Sequence, residues 1–176
     1  MKRVAVFGNA GGGKSTLARR LADATGLPLH VVDMMQFLPG GTPVAHDVYL
    51  QAHAELLKRD AWIIDGYGCR VSAWERFAAA DTLVYVDLPL YRHFLRITKR
   101  LLLGLFRTPA GWPEGSPIVS SSISSYRVLW PCHRHLTPKY RALVSEAPRG
   151  KRVFHLRSSR DVEAFLAGLE KGACRA

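Results

Sequence analysis

The chain has 176 residues, the size of a single domain that can bury a full core without staples. Three cysteines, Cys69, Cys132 and Cys174, are odd in number, far apart and without C-x-x-C spacing, which argues against a disulfide framework and for free thiols in a reducing, cytoplasmic setting. A formal charge of +11 draws polyanions, but the apolar run Leu101–Phe106 is far too short to span a bilayer and no signal segment precedes the first strand, so no membrane role is expected.

Val4–Phe7 is a short apolar run that reads as a buried strand, and Lys14–Thr25 reads as a helix closed by Gly26 in the C-cap position. The loop between them fits G-x-x-x-x-G-K-[ST] at Gly8, Gly13, Lys14 and Ser15. Glycines in such a loop, here Gly8, Gly11, Gly12 and Gly13, let successive backbone N–H groups turn toward an anion, and the helix N-terminus behind them favours negative charge. ATP is therefore expected on Gly11–Thr16, with Lys14 reaching the β- and γ-phosphates, the Ser15 hydroxyl on Mg²⁺, and Thr16 next in line.

Residues 27–33 read as a second strand ending in Asp33, which is either aimed at the ligand crevice that parallel sheets open at their carboxyl ends or is a strand-end turn residue. Asp47–Arg59 predicts an amphipathic helix with Val48, Leu50, Ala54 and Leu57 inward and with His46 and His53 on the solvated side. Residues 61–66 form a buried strand ending in Asp65 beside Gly66, where a carboxylate suits a nucleotide-bound Mg²⁺, directly or through water. Ser72-x-x-Glu75 has capping-box spacing and predicts a helix from there to Ala80; Thr82–Asp87 is the next strand.

Pro89 fits the first turn of a basic amphipathic helix from Leu90 to about Leu105, with Leu90, Phe94, Ile97 and Leu101 on one face and Arg92, Arg96, Lys99 and Arg100 largely elsewhere. From Arg107 to Ser125 prolines, glycines and a serine cluster break the pattern, which suggests a functional flap. Tyr126–Trp130 and Pro138–Glu146 predict helices, and Cys132, His133 and His135 read as a turn more readily than as a metal site. Lys151–Leu156 is the last strand, and Ser158 or Ser159 caps the last helix. Five strands alternating with helices give an α/β, doubly wound, parallel sheet.

These residues together resemble the P-loop small-molecule kinases, and within them the adenylate-kinase-like group often labelled DNA topology modulation protein. The resemblance covers most of the chain and rests on the cradle Gly8–Ser15, Asp33, Trp62–Tyr67 followed by Arg70, Asp87-Leu88-Pro89, Arg96–Arg100 and Leu156-Arg157-Ser158. It implies a P-loop NTPase of the nucleoside-monophosphate-kinase type, with a substrate-side segment near 34–60 and a small lid near 104–125. It also implies that Arg70 grips an anionic acceptor, that Arg96 and Arg100 pack on adenine and contact phosphates, and that Arg134 is a post-lid arginine. Arg70 falls five residues after Asp65, where adenylate kinases have four, so the acceptor stays open.

The expected activity is transfer of the γ-phosphoryl group from Mg²⁺-ATP to a small, anionic acceptor. Lys14, Arg96, Arg100 and Arg134 would stabilise the charge, and Asp33 would orient the acceptor or act as its base. An ATP-binding, DNA-associated regulator is the alternative. No helix-turn-helix, zinc finger or aromatic stacking platform is visible to support it, and a basic surface alone does not identify a nucleic-acid reader.

Overall fold

The computed structural model describes residues 1–38, 41–104 and 118–173. In chain order the elements are β1 (Arg3–Gly8), α1 (Lys14–Thr25), β2 (Leu29–Val31), α2 (Val32–Gln36), α3 (His46–Leu57), β3 (Trp62–Asp65), α4 (Arg70–Ala79), β4 (Thr82–Val86), α5 (Leu90–Gly104), α6 (Ile118–His135), α7 (Thr137–Ser145), β5 (Arg152–Leu156) and α8 (Ser159–Ala173). The five strands form one sheet in the order β2-β3-β1-β4-β5. Every pairing is parallel.

The order puts β1 at the centre, between β3 and β4, with Val6 level with both Asp65 and Val84. Successive side chains of a strand point to opposite faces, so a central strand covered on both sides must be apolar throughout. On one face Val4 and Val6 join Ile63, Val84, Leu17, Leu21 and Leu166. On the other, Ala5 and Phe7 join Trp62, Ile64, Tyr85, Phe77 and Tyr140. That second layer is largely aromatic, with Phe7 stacked on Tyr85 at a ring-centre separation of 5.1 Å and edge-on to Tyr140 at the same distance.

Several local expectations need correction. β2 stops at Val31, and Asp33 lies in the first turn of α2 instead of at a strand end. Val32 turns fully into the core there and packs against the backbone of Gly66, which has no side chain to hold it off. α4 starts at Arg70, because Ser72 is its third residue and not its cap: the Ser72 hydroxyl accepts from the Cys69 N–H at 3.1 Å while the Ser72 N–H reaches the Cys69 sulfur at 3.5 Å. From Ile118 the serine-rich stretch is helix, continuous through Pro131 to His135. The lid-like segment 104–125 otherwise falls mostly outside the described residues. Among the described residues, no helix is long and apolar enough to cross a membrane.

α3 is rotated relative to expectation. Tyr49, His53 and Leu56 face the core at i, i+4 and i+7, whereas Val48 is exposed. His53 is completely buried and neither ring nitrogen has a hydrogen-bond partner among the described residues. Burial, reinforced by the Arg76 guanidinium, holds its pKa down at about 4. The groups facing it are Tyr49, Glu75, whose carboxylate is 4.0 Å from Nδ1, and Arg76.

Because the folded protein takes up this proton less readily than the unfolded chain, stability is intact above pH of about 6.5 and declines as pH falls toward about 4. Urea midpoints at pH 7 and pH 4.5 should show a His53→Leu variant losing about 2 kcal/mol less than wild type over that interval. Parallel losses in the two proteins would refute this.

Candidate functional site

The loop from Gly8 to Gly13 leaves the carboxyl end of the central strand and enters α1 directly, so its backbone sits at the crevice edge of the sheet. Gly8, Gly11 and Gly13 have φ of 143°, 71° and 84°, in the range that L side chains rarely adopt. Space is restricted as well as dihedral freedom. A Cβ on Gly8 would overlap the Val86 carbonyl oxygen of β4, and one on Gly13 would lie 2.6 Å from Arg96 Nη1. The Lys14 ammonium folds back onto the loop and donates to the Asn9 carbonyl at 2.9 Å. Ser15 and Thr16 follow on the first turn of α1, Ser15 half-buried and Thr16 exposed.

Three contacts hold the loop in place from neighbouring elements. Arg96 of α5 donates from Nη1 to the Gly12 carbonyl at 2.5 Å. Asn9 donates from Nδ2 to the Thr137 hydroxyl at 2.9 Å, tying the loop to the start of α7. His93 is buried between two carbonyls, with Nδ1 2.7 Å from Ala10 O and Nε2 3.1 Å from Leu88 O. Burial lowers the His93 pKa; its two carbonyl contacts oppose that, and the charges of Lys14 and Arg96 add to it. A cleft of about 300 Å³ runs beside the loop, lined by Gly12, Gly13, Thr16, Arg20, Arg96 and Ser159 among others.

Asp65 closes β3 one strand away. It is 1% exposed, and its Oδ1 has no hydrogen-bond partner among the described residues. A buried carboxylate oxygen left without a partner beside a glycine loop could take part in holding Mg²⁺ through water, and the Ser15 hydroxyl is the other candidate on this loop. Directly behind it lies Arg76, also fully buried, whose Nη2 donates to the Gly66 carbonyl at 2.8 Å and the Tyr67 carbonyl at 3.2 Å. This arginine fixes the chain that runs from Asp65 toward Arg70. Nothing in the local sequence singles it out, since its partners are backbone atoms.

The remaining expected residues lie on other elements, and among the described residues none of them lines the cleft beside the loop. Asp33 is exposed on α2, Arg70 is exposed as the first residue of α4, and Arg134 is exposed on the last turn of α6. Of the arginines, Arg96 is the one seated on the cradle, and the Arg100 side chain lies outside the described residues. Sequence reasoning missed His93, Arg76 and Asn9. His93 could have been found from its place one turn before Ile97, on the buried face of α5.

No protein-family model matches the sequence, and neither does any curated protein sequence. Solved structures do match. The chain is similar to a shikimate kinase from Acinetobacter baumannii in complex with shikimate, with a TM-score of 0.58 and 15% identity over 99% of this chain and 94% of that one. It is also similar to a shikimate kinase from Bacteroides thetaiotaomicron, with a TM-score of 0.53 and 14% identity over 97% of each chain. The five-stranded, all-parallel α/β fold is shared with these two structures.

Proposed function

We propose that the protein is an ATP-dependent kinase, adenylate-kinase-like in layout, that moves the γ-phosphoryl group to a small, anionic acceptor. The observation that carries this reading is the convergence on one loop of Lys14, the Arg96 guanidinium on Gly12, and the buried Asp65 with an uncommitted oxygen on the adjacent strand. A glycine turn that served only to reverse the chain would need none of them. The cleft beside the loop has the position and size to take the donor's nucleoside, with Thr16 and Arg96 at its inner end.

In this reading an acceptor oxygen attacks the γ-phosphorus in line, the bond to the β,γ-bridging oxygen breaks, and ADP leaves. Lys14, Arg96, Arg100 and Arg134 meet the charge that spreads over the transferred group. Asp33 takes the proton when the acceptor is a hydroxyl and only orients it when the acceptor is already a phosphate, while Arg70 holds the acceptor's anionic group. Mg²⁺ would be held by the Ser15 hydroxyl and, through water, by Asp65, and would supply positive charge to the phosphates. Both solved structures quoted above carry a kinase name and one holds shikimate, a small acid bearing hydroxyls, which fits an acceptor of this class.

The test is ADP release from Mg²⁺-ATP across a panel of nucleoside monophosphates and hydroxy acids, run with wild type and Asp65→Asn. An acceptor that raises release in wild type, and about 100-fold less in the variant, is the expected result. No acceptor-stimulated release in any mixture, or equal release by the two proteins, would end this reading.

A further inference from the structure

A second cavity, of about 520 Å³, opens where β4 and β5 end and is lined by Asp87, Leu88, Pro89, His133, Arg141 and Arg157. It shares no lining residue with the cleft beside the cradle. Its one carboxylate is already committed. Asp87 is buried, accepts from Arg141 Nε at 2.8 Å and Nη2 at 3.2 Å, and faces His155 Nε2 at 2.8 Å. Burial pushes the Asp87 carboxyl up, but the hydrogen bonds from Arg141 and His155 outweigh it and hold the group below the usual carboxylate range.

The same network fixes the second guanidinium. Arg157 Nη2 lies 3.3 Å from His155 Nδ1. Because a guanidinium can only donate, Nδ1 is the acceptor and the ring proton sits on Nε2, pointing at Asp87. The turn beneath is pinned too, since the backbone N–H groups of Arg157 and Ser158 donate to the Asp161 carboxylate at 2.8 and 2.9 Å. The lining side chains carry two guanidiniums and one carboxylate, and the Asp161 carboxylate beneath the turn also feels the Arg157 charge without lining the cavity. The network uses only part of each donor fork of five N–H groups, and His133 adds a further donor.

We propose that this cavity binds a small ligand through a phosphate group, at a site separate from the cradle. A tetrahedral dianion can accept from both forks and from His133 at once, and the volume leaves room for the rest of a phosphorylated metabolite. The proposal stands whether or not the cradle transfers phosphate.

Inorganic phosphate is the probe, titrated into the whole chain while the side-chain Nε–H signals of Arg141 and Arg157 are followed by NMR, with ionic strength matched by chloride. The expected result is a saturable shift of both signals that persists in Lys14→Ala. In Arg157→Gln, read at Arg141, the affinity should fall about ten-fold, the loss of one charge-assisted fork. Shifts that grow linearly, that chloride reproduces, or that vanish in Lys14→Ala would overturn the proposal, as would an unchanged affinity in Arg157→Gln.

Discussion

A Gly8→Ala variant is expected to unfold, or to lose at least about 4 kcal/mol of stability, although it adds a single methyl group. Gly8 has φ of 143° and the added carbon would overlap a backbone oxygen, that of Val86. The obstacle cannot swing aside. Val86 is paired with Gly8 on one side and with Leu156 on the other, and the next N–H along, that of Asp87, donates to the Leu156 carbonyl at 2.8 Å.

Gly13→Ala makes the informative contrast. Its φ is 84°, and the nearest obstacle is the end of the Arg96 side chain. That guanidinium can move, so the expected loss is the left-handed penalty of about 1–2 kcal/mol together with the bond from Arg96 to Gly12. Denaturant midpoints of the three proteins decide the matter: a Gly8→Ala midpoint equal to wild type, or above that of Gly13→Ala, would show that the two central strands do not meet this closely.

Lys14→Ala should behave in the opposite way, with little effect on folding and a large one on turnover. The side chain is half-buried and its recorded bond is to the Asn9 carbonyl, so stability should change by no more than about 1 kcal/mol. Acceptor-dependent ADP release should fall by about 10²–10³-fold, the loss seen when one positioned donor is removed from a developing oxyanion. Equal rates in the variant and wild type would remove the basis for phosphoryl transfer at this loop.

The strand, glycine loop and helix at the start of the chain were legible in the sequence because their signals are local. An apolar run, glycines at fixed offsets and a lysine-serine pair define β1, the loop and α1 without reference to anything distant, and Gly26 closes that helix with φ of 68° as its position suggests. Errors arose where a distant neighbour decides. Val31-Val32-Asp33 reads as β-branched strand, but Val32 is drawn into the core by the bare backbone of Gly66 and turns Asp33 onto α2. On α3 the pattern favours Val48 over His53, whereas the structure buries Tyr49, whose hydroxyl lies 2.7 Å from the Ser72 hydroxyl of α4, and takes His53 in with it. Arg76 and the Asp87–Arg141–His155 group are long-range by nature, since their partners are carbonyls or side chains on other elements. The serine run before Tyr126 reads as loop by composition yet continues a helix.

The order of the strands also separates the centre of the sheet from its rim. The glycine loop hangs from the innermost strand, where a single methyl has nowhere to go, so that end is held to one geometry. Asp33 follows β2, a rim strand of three residues, none fully buried. If Asp33 meets the acceptor as proposed, the acceptor side sits on this rim, apart from the innermost strand that carries the glycine loop.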